Sequence, residues 1–171
     1  MYDPTVYENL KVAFENTLYD LDNLDGVIQI TNRMDRMEMS VMSREFAIQF
    51  ALADHNEITA EIALEASLKD LAAEILELPG ENPACTLRLR FYMQIENVET
   101  QCGQIDQILQ QIWKPSTTQT QTLSYVYGQE RAIYTDTIEL KFQRKINEDQ
   151  MEDIPEIVEY VIQTLTGLKD L

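Results

Sequence analysis

Histidine is nearly absent from this sequence. His55 is the one copy, and it falls in Asp54-His55-Asn56, a stretch with the composition of a turn. A nucleophile–histidine–acid triad would have to be built around that residue, so the common hydrolase arrangement is not expected. Cysteine is scarce too. Cys85 and Cys102 are the only two, too few for a disulfide scaffold and too scattered from His55 for a zinc site. With no secretory signal in MYDPTVYENLK, both are expected to be reduced thiols in the cytoplasm. Cys102 lies near a helix start, where amide N–H groups favour a thiolate. It has no partner cysteine or histidine, so a structural thiol is the simpler reading.

Five glycines and five prolines leave little material for long linkers. They supply no phosphate loop either: neither GxGxxG nor GxxxxGK[ST] occurs, and no cofactor is expected. No apolar run approaches the roughly 18–20 residues that cross a bilayer. Basic charge is the largest deficit, with 13 Lys and Arg against 30 Asp and Glu and a net charge of -17. Such a field repels phosphate backbones and anionic lipid, so neither nucleic acid nor membrane is expected as a partner.

What remains is apolar patterning ample for one core in a chain of 171 residues. Asp3-Pro4 reads as a helix start, and Val6, Leu10, Phe14, Leu18 and Leu21 form one stripe behind it. Asp25-Gly26 closes the helix. The acidic run Asp20–Gly26 misses the spacing of a calcium loop, since the first and twelfth positions fall on Leu21 and Asn32. Val27–Thr31 and Met34–Met39 both suit strands, and the join at Asn32-Arg33 is either a bulge or a turn.

Phe46–Leu52 and Ile58–Ala66 alternate on either side of the polar break, as an antiparallel hairpin does. Ser67 then caps a short helix whose apolar face is Leu68, Leu71, Ala72, Ile75 and Leu76. Two segments next repeat one grammar: Thr86–Trp113 and Thr137–Leu165 each run from alternating residues through a polar turn into helical spacing. Between them lies the loop-like stretch 114–118, a strand marked by Leu123, Tyr125 and Tyr127, and a turn at Gly128. In the second unit Pro155 sets the regular helix to begin near Asp153, with Asp153 as its cap and Glu156 in a capping-box position. A start at Asn147 with a kink at Pro155 is the alternative.

The expectation is a single α+β domain over residues 1–171. Its mainly antiparallel sheet has about six strands, helices pack on one face, and a weak β-turn-α repeat runs through it. The sheet face bearing Arg88, Arg90, Tyr92, Glu139 and Lys141 would then stand open to a partner. The leading functional reading is a non-catalytic, regulatory or accessory cytoplasmic protein that acts through protein contacts at that face, as a homodimer. A second reading is a small-ligand pocket near Trp113, Tyr125 and Tyr127, aromatic types that line both cores and interfaces. A third is a metal-dependent enzyme built on the carboxylates Glu148, Asp149, Glu152 and Asp153. The bland account of those four is an acidic helix N-terminus, favoured by the macrodipole.

Overall fold

The computed structural model describes residues 5–113, 115 and 117–171. The expected start at Asp3-Pro4 therefore lies outside the described residues, as do 114 and 116 of the expected loop. Within them, helix α1 (Val6–Asn23) is capped by Thr5, whose side-chain oxygen accepts the Glu8 N–H at 3.1 Å. Strands β1 (Ile28–Glu38), β2 (Ser43–Leu52) and β3 (His55–Ala66) follow as a meander. Helix α2 (Leu68–Ile75) leads into β4 (Thr86–Ile95) and helix α3 (Val98–Ile112). Strands β5 (Thr117–Ser124) and β6 (Tyr134–Phe142) come next, then a 3-10 turn at Glu148–Asp153 and helix α4 (Ile154–Lys169).

The six strands form one antiparallel sheet in the order β1-β2-β3-β4-β6-β5. Alternation decides which side of it is covered. Phe46, Ile48 and Phe50 of β2, Ile62 and Leu64 of β3, Leu89 and Phe91 of β4, and Ile138 and Leu140 of β6 all point one way and are fully buried. They share one core with Leu10, Phe14 and Leu18 of α1, Ile105 and Leu109 of α3, and Val158, Val161 and Leu165 of α4. Each such side chain contributes about 1.5–3 kcal/mol on burial. The two repeat units lie side by side, with β4 antiparallel to β6. Among the described residues, no helix is long and apolar enough to cross a membrane.

The join in β1 is a bulge. Pairing with β2 slips between Ile30 and Asn32, leaving Thr31 extra. Because side chains alternate with period two, one extra residue switches which parity faces the helices. Ile28 and Ile30 face the core before the bulge, and Arg33 and Asp35 face α1 after it. There the Tyr7 hydroxyl donates to Asp35 at 3.2 Å and Lys11 donates to Asp35 at 2.8 Å. Arg44 pairs with Glu8 and Asp35 while lying 4.4 Å above the Tyr7 ring.

Three local expectations are corrected. Helix α2 buries only Ala73; of the face expected to pack, Leu71 lies half-buried against the core while Leu68, Ile75 and Leu76 are exposed. Strand β5 begins at Thr117 and ends at Ser124, which moves it back over part of the expected loop and leaves Tyr125 and Tyr127 beyond its end. Asp153 does sit at the N-cap of α4 but makes no side-chain capping bond. The capping box forms six residues earlier, where Asn147 and Gln150 bond each other's backbone N–H at the start of the 3-10 turn.

Candidate functional site: the helix-free face of the sheet

Strand register builds this site. Gln49 on β2 pairs with Glu61 on β3, Glu61 with Arg90 on β4, and Arg90 with Glu139 on β6. Asn32 on β1 and Thr120 on β5 extend the same row to both edges. The row is bonded across its middle. Gln49 Nε2 donates to Glu61 Oε2 at 2.7 Å, and Arg90 donates one N–H to Glu61 Oε1 at 2.8 Å and Nε–H to Glu139 Oε2 at 2.9 Å. The Tyr92 hydroxyl approaches Glu61 Oε1 at 3.4 Å, and Lys141 lies 3.3 Å from Glu139. Arg88 lies 3.7 Å from Glu65.

The consequence is a carboxylate only 7% exposed on a face that no helix covers. Neighbouring side chains alone bury Glu61. Burial of an unpaired carboxylate is costly, and here both oxygens have donors. Burial by itself would lower the Arg90 pKa, but the hydrogen bonds and charges of Glu61 and Glu139 outweigh it and raise the value. Glu139 is likewise pushed up by burial and pulled further down by Arg90 and Lys141, to a net value below the usual carboxylate range. Burial, then the charge of Glu61, raises the Tyr92 hydroxyl. These groups therefore stay in their ordinary charge states at neutral pH, and none is poised as a proton donor or acceptor.

The middle of the face is close to neutral: by register Arg36, Arg88, Arg90 and Lys141 stand against Glu45, Glu61, Glu65 and Glu139, while Glu38 and Glu57 add acid at its ends. On a chain of charge -17 that balance is local, and the excess acid lies elsewhere. Ala47 and Ala63, each at most 5% exposed, sit beside Arg88 and leave the surface shallow there.

The five residues expected to form an interaction surface, Arg88, Arg90, Tyr92, Glu139 and Lys141, thus fall together on paired strands. Sequence reasoning passed over Gln49, Glu61 and Glu65. Their signal was the polar phase of the alternation in β2 and β3.

The other candidates disperse. Trp113 is 6% exposed and donates Nε1–H to Thr164 at 3.0 Å, packed edge-on against Phe142 and Tyr160. Tyr125 and Tyr127 lie past the far end of β5, at 69% and 97% exposure. The three therefore line no common pocket within one chain. Glu148, Asp149, Glu152 and Asp153 are exposed on the 3-10 turn, and Glu148 accepts from Asn9 at 2.9 Å. Among the described residues, no group of three His, Cys, Asp or Glu is placed to hold a metal ion. His55 opens β3 beside Glu57 and lines an open cleft of about 560 Å³ at the sheet's end.

A second polar cluster lies under α3. Asp136 on β6 is fully buried, with Oδ1 unpartnered among the described residues and Oδ2 at 4.0 Å from Cys102 Sγ. Burial, then the charge of Asp106, raises its pKa to about 6. Burial and Asp136 raise the Cys102 thiol in turn, so the helix start does not make it a thiolate. Burial pushes the Cys85 thiol up to about 12. Asp136 shares the alternation phase of Ile138 and Leu140, a signal that was legible in the sequence.

No family model, curated protein or solved structure matches this chain.

Proposed function

We propose that this chain is a non-catalytic cytoplasmic protein that acts by protein contact, with the helix-free face of β3, β4 and β6 as its docking surface. The observation that carries the reading is the Gln49–Glu61–Arg90–Glu139 row. It holds charged groups in fixed geometry on an uncovered face, and preorganised groups lose little freedom when a partner arrives. The local charge balance also suits a folded protein of mixed charge better than a polyanion. Arg90 and Glu139 are held in their charged forms, and both Glu61 oxygens already accept hydrogen bonds, which favours contact over chemistry. Two thiols held protonated, with no disulfide between them, agree with a reducing compartment.

Site-specific photo-crosslinking in cells tests the reading. A photoreactive residue in place of Tyr92 is expected to give a discrete protein adduct that K141E weakens, Lys141 being 55% exposed at the rim. The same residue in place of Val12, 47% exposed on α1, is expected to give none. Adducts at position 12 with none at position 92 would place the contact surface on the helical side. A thermal shift with Mg²⁺ or Mn²⁺ alone would instead favour the metal-dependent alternative.

A further inference from the structure

A sheet in the order β1-β2-β3-β4-β6-β5 has two edge strands, β1 and β5. Proteins guard such edges with charge, proline or bulges, because unpaired N–H and C=O groups invite another strand. Strand β1 is guarded: it has the bulge at Thr31 and carries Arg33, Asp35, Arg36 and Glu38. Strand β5, TTQTQTLS, has no charge and no proline, and it pairs with β6 through eight consecutive positions without a bulge. We propose that a second copy of this chain pairs antiparallel along the outer edge of β5, joining two six-stranded sheets about a two-fold axis.

Charge argues for the second copy. Two chains of net charge -17 repel wherever acidic surfaces meet. Asp and Glu make up 30 of the 171 residues, yet none falls between Asp106 and Glu130. That is the longest stretch of the sequence without an acidic residue, and β5 lies wholly inside it. Of the two open edges this is the one whose own strand brings no carboxylate; the nearest ones are Asp106, which accepts from Gln121 Nε2 at 2.7 Å, and Asp153 and Glu156 beyond the end of β5.

The ends of the strand argue for it too. Tyr125, Val126 and Tyr127 follow β5 directly and are 69%, 66% and 97% exposed, a density of aromatic surface typical of contact hot spots. At the other end of β5 lies a groove of about 240 Å³ whose lining includes Trp113, Thr117, Phe142 and Tyr160. In a two-fold antiparallel pair, facing residue numbers add to a constant. The helix-side residues of β5 are odd-numbered, since Thr117, Gln119, Gln121 and Leu123 are the half-buried ones. A continuous sheet requires odd to face odd, so the constant is even. With the axis at Gln121, the second copy's Tyr125 stands opposite Thr117, on the side where the groove opens. Trp113 and Tyr125, apart within one chain, then meet across the pair.

The inference rests on the reading of this chain as a contact protein but uses another surface, so absence of crosslinking at Tyr92 would remove that reading and leave this one standing. Sedimentation velocity over a concentration series tests it with the wild-type chain, T120E/T122E, T120K/T122K and an equimolar mixture of the two variants. Thr120 and Thr122 are exposed on the helix-free face and face each other's copies when the axis lies at Gln121. Wild type is expected at twice the 19.8 kDa chain mass. Each variant is expected to dissociate about tenfold more readily, because like charges oppose across the pair, and the mixture is expected to recover the dimer. Y127S changes a residue 97% exposed beyond the strand and is expected to weaken the dimer as well. A wild-type chain that stays monomeric throughout overturns the proposal. So does a dimer indifferent to both charge variants, or a mixture no tighter than either variant alone.

Discussion

Asp136 is buried at an energetic cost. Its carboxyl is fully buried, one oxygen has no partner among the described residues, and burial with the nearby Asp106 raises its pKa to about 6. In the unfolded chain an aspartate titrates near 4. The folded protein therefore binds this proton more tightly, and the stability linked to it is full below about pH 4 and lost as pH rises through about 6. D136N is accordingly expected to raise the unfolding temperature at pH 8, by up to about 3 kcal/mol of stability, with the gain shrinking towards pH 4. Thermal unfolding of both proteins across that range decides it, and a gain that does not depend on pH would remove the carboxylate as the cause. Sequence reasoning passed over Asp136, although it falls in the apolar phase of β6 with Ile138 and Leu140. The Glu61 row was visible only in part, because alternation gives a residue its face and only register gives it a neighbour. Arg90 and Glu139 lie 49 residues apart, and no local pattern connects them.

At the scale of elements, strands with strict alternation were legible, and pieces whose place is set by tertiary pairing were not. The β2–β3 hairpin and the cores of β4 and β6 follow directly from period two. Strand β5 was misplaced because Thr and Gln resemble a loop by composition. Pairing with β6 makes Thr117–Ser124 a strand, and its Thr residues suit the pleat. Helix α2 has the apolar residues of a packed helix, but only Ala73 is buried and Leu71 is half-buried against the core. The bulge in β1 brings Asp35 under α1, where Tyr7, Lys11 and Arg44 meet it. Burial pushes Glu8 and Asp35 up, but bonds from Lys11, with the Arg44 charge beside them, outweigh it and hold both below the usual carboxylate range. R44M is expected to cost about 2 kcal/mol, since it removes two ion pairs and the stacking on Tyr7. That cost is full at neutral pH, above the unfolded carboxylate values, and fades as pH falls through the lowered folded ones. Chemical denaturation at pH 7 and pH 3 measures it; equal losses at both would exclude the ion pairs.

Across the whole molecule, many of the scarce cations are paired with carboxylates. Three of the cations that lie near one another in sequence are neutralised in place: Arg33 by Glu15, Arg36 by Glu45, and Arg44 by Glu8 and Asp35. Lys141 and Lys145 are held by Glu139 and Asp70, while the exposed Arg144 has no carboxylate partner among the described residues. Paired cations on a chain of net charge -17 cannot supply the counterion release of a basic patch, so no binding to DNA or RNA is expected at physiological salt. A gel shift at low and at physiological salt checks this, and a complex that survives the higher salt would refute it. The unequal edges of the sheet also limit growth. A contact between two β5 strands is isologous and uses both of them, so the twelve-stranded product ends in β1 on each side. Both termini are then bent by the Thr31 bulge and lined with charge, so strand addition stops at two chains and cannot propagate into a fibre.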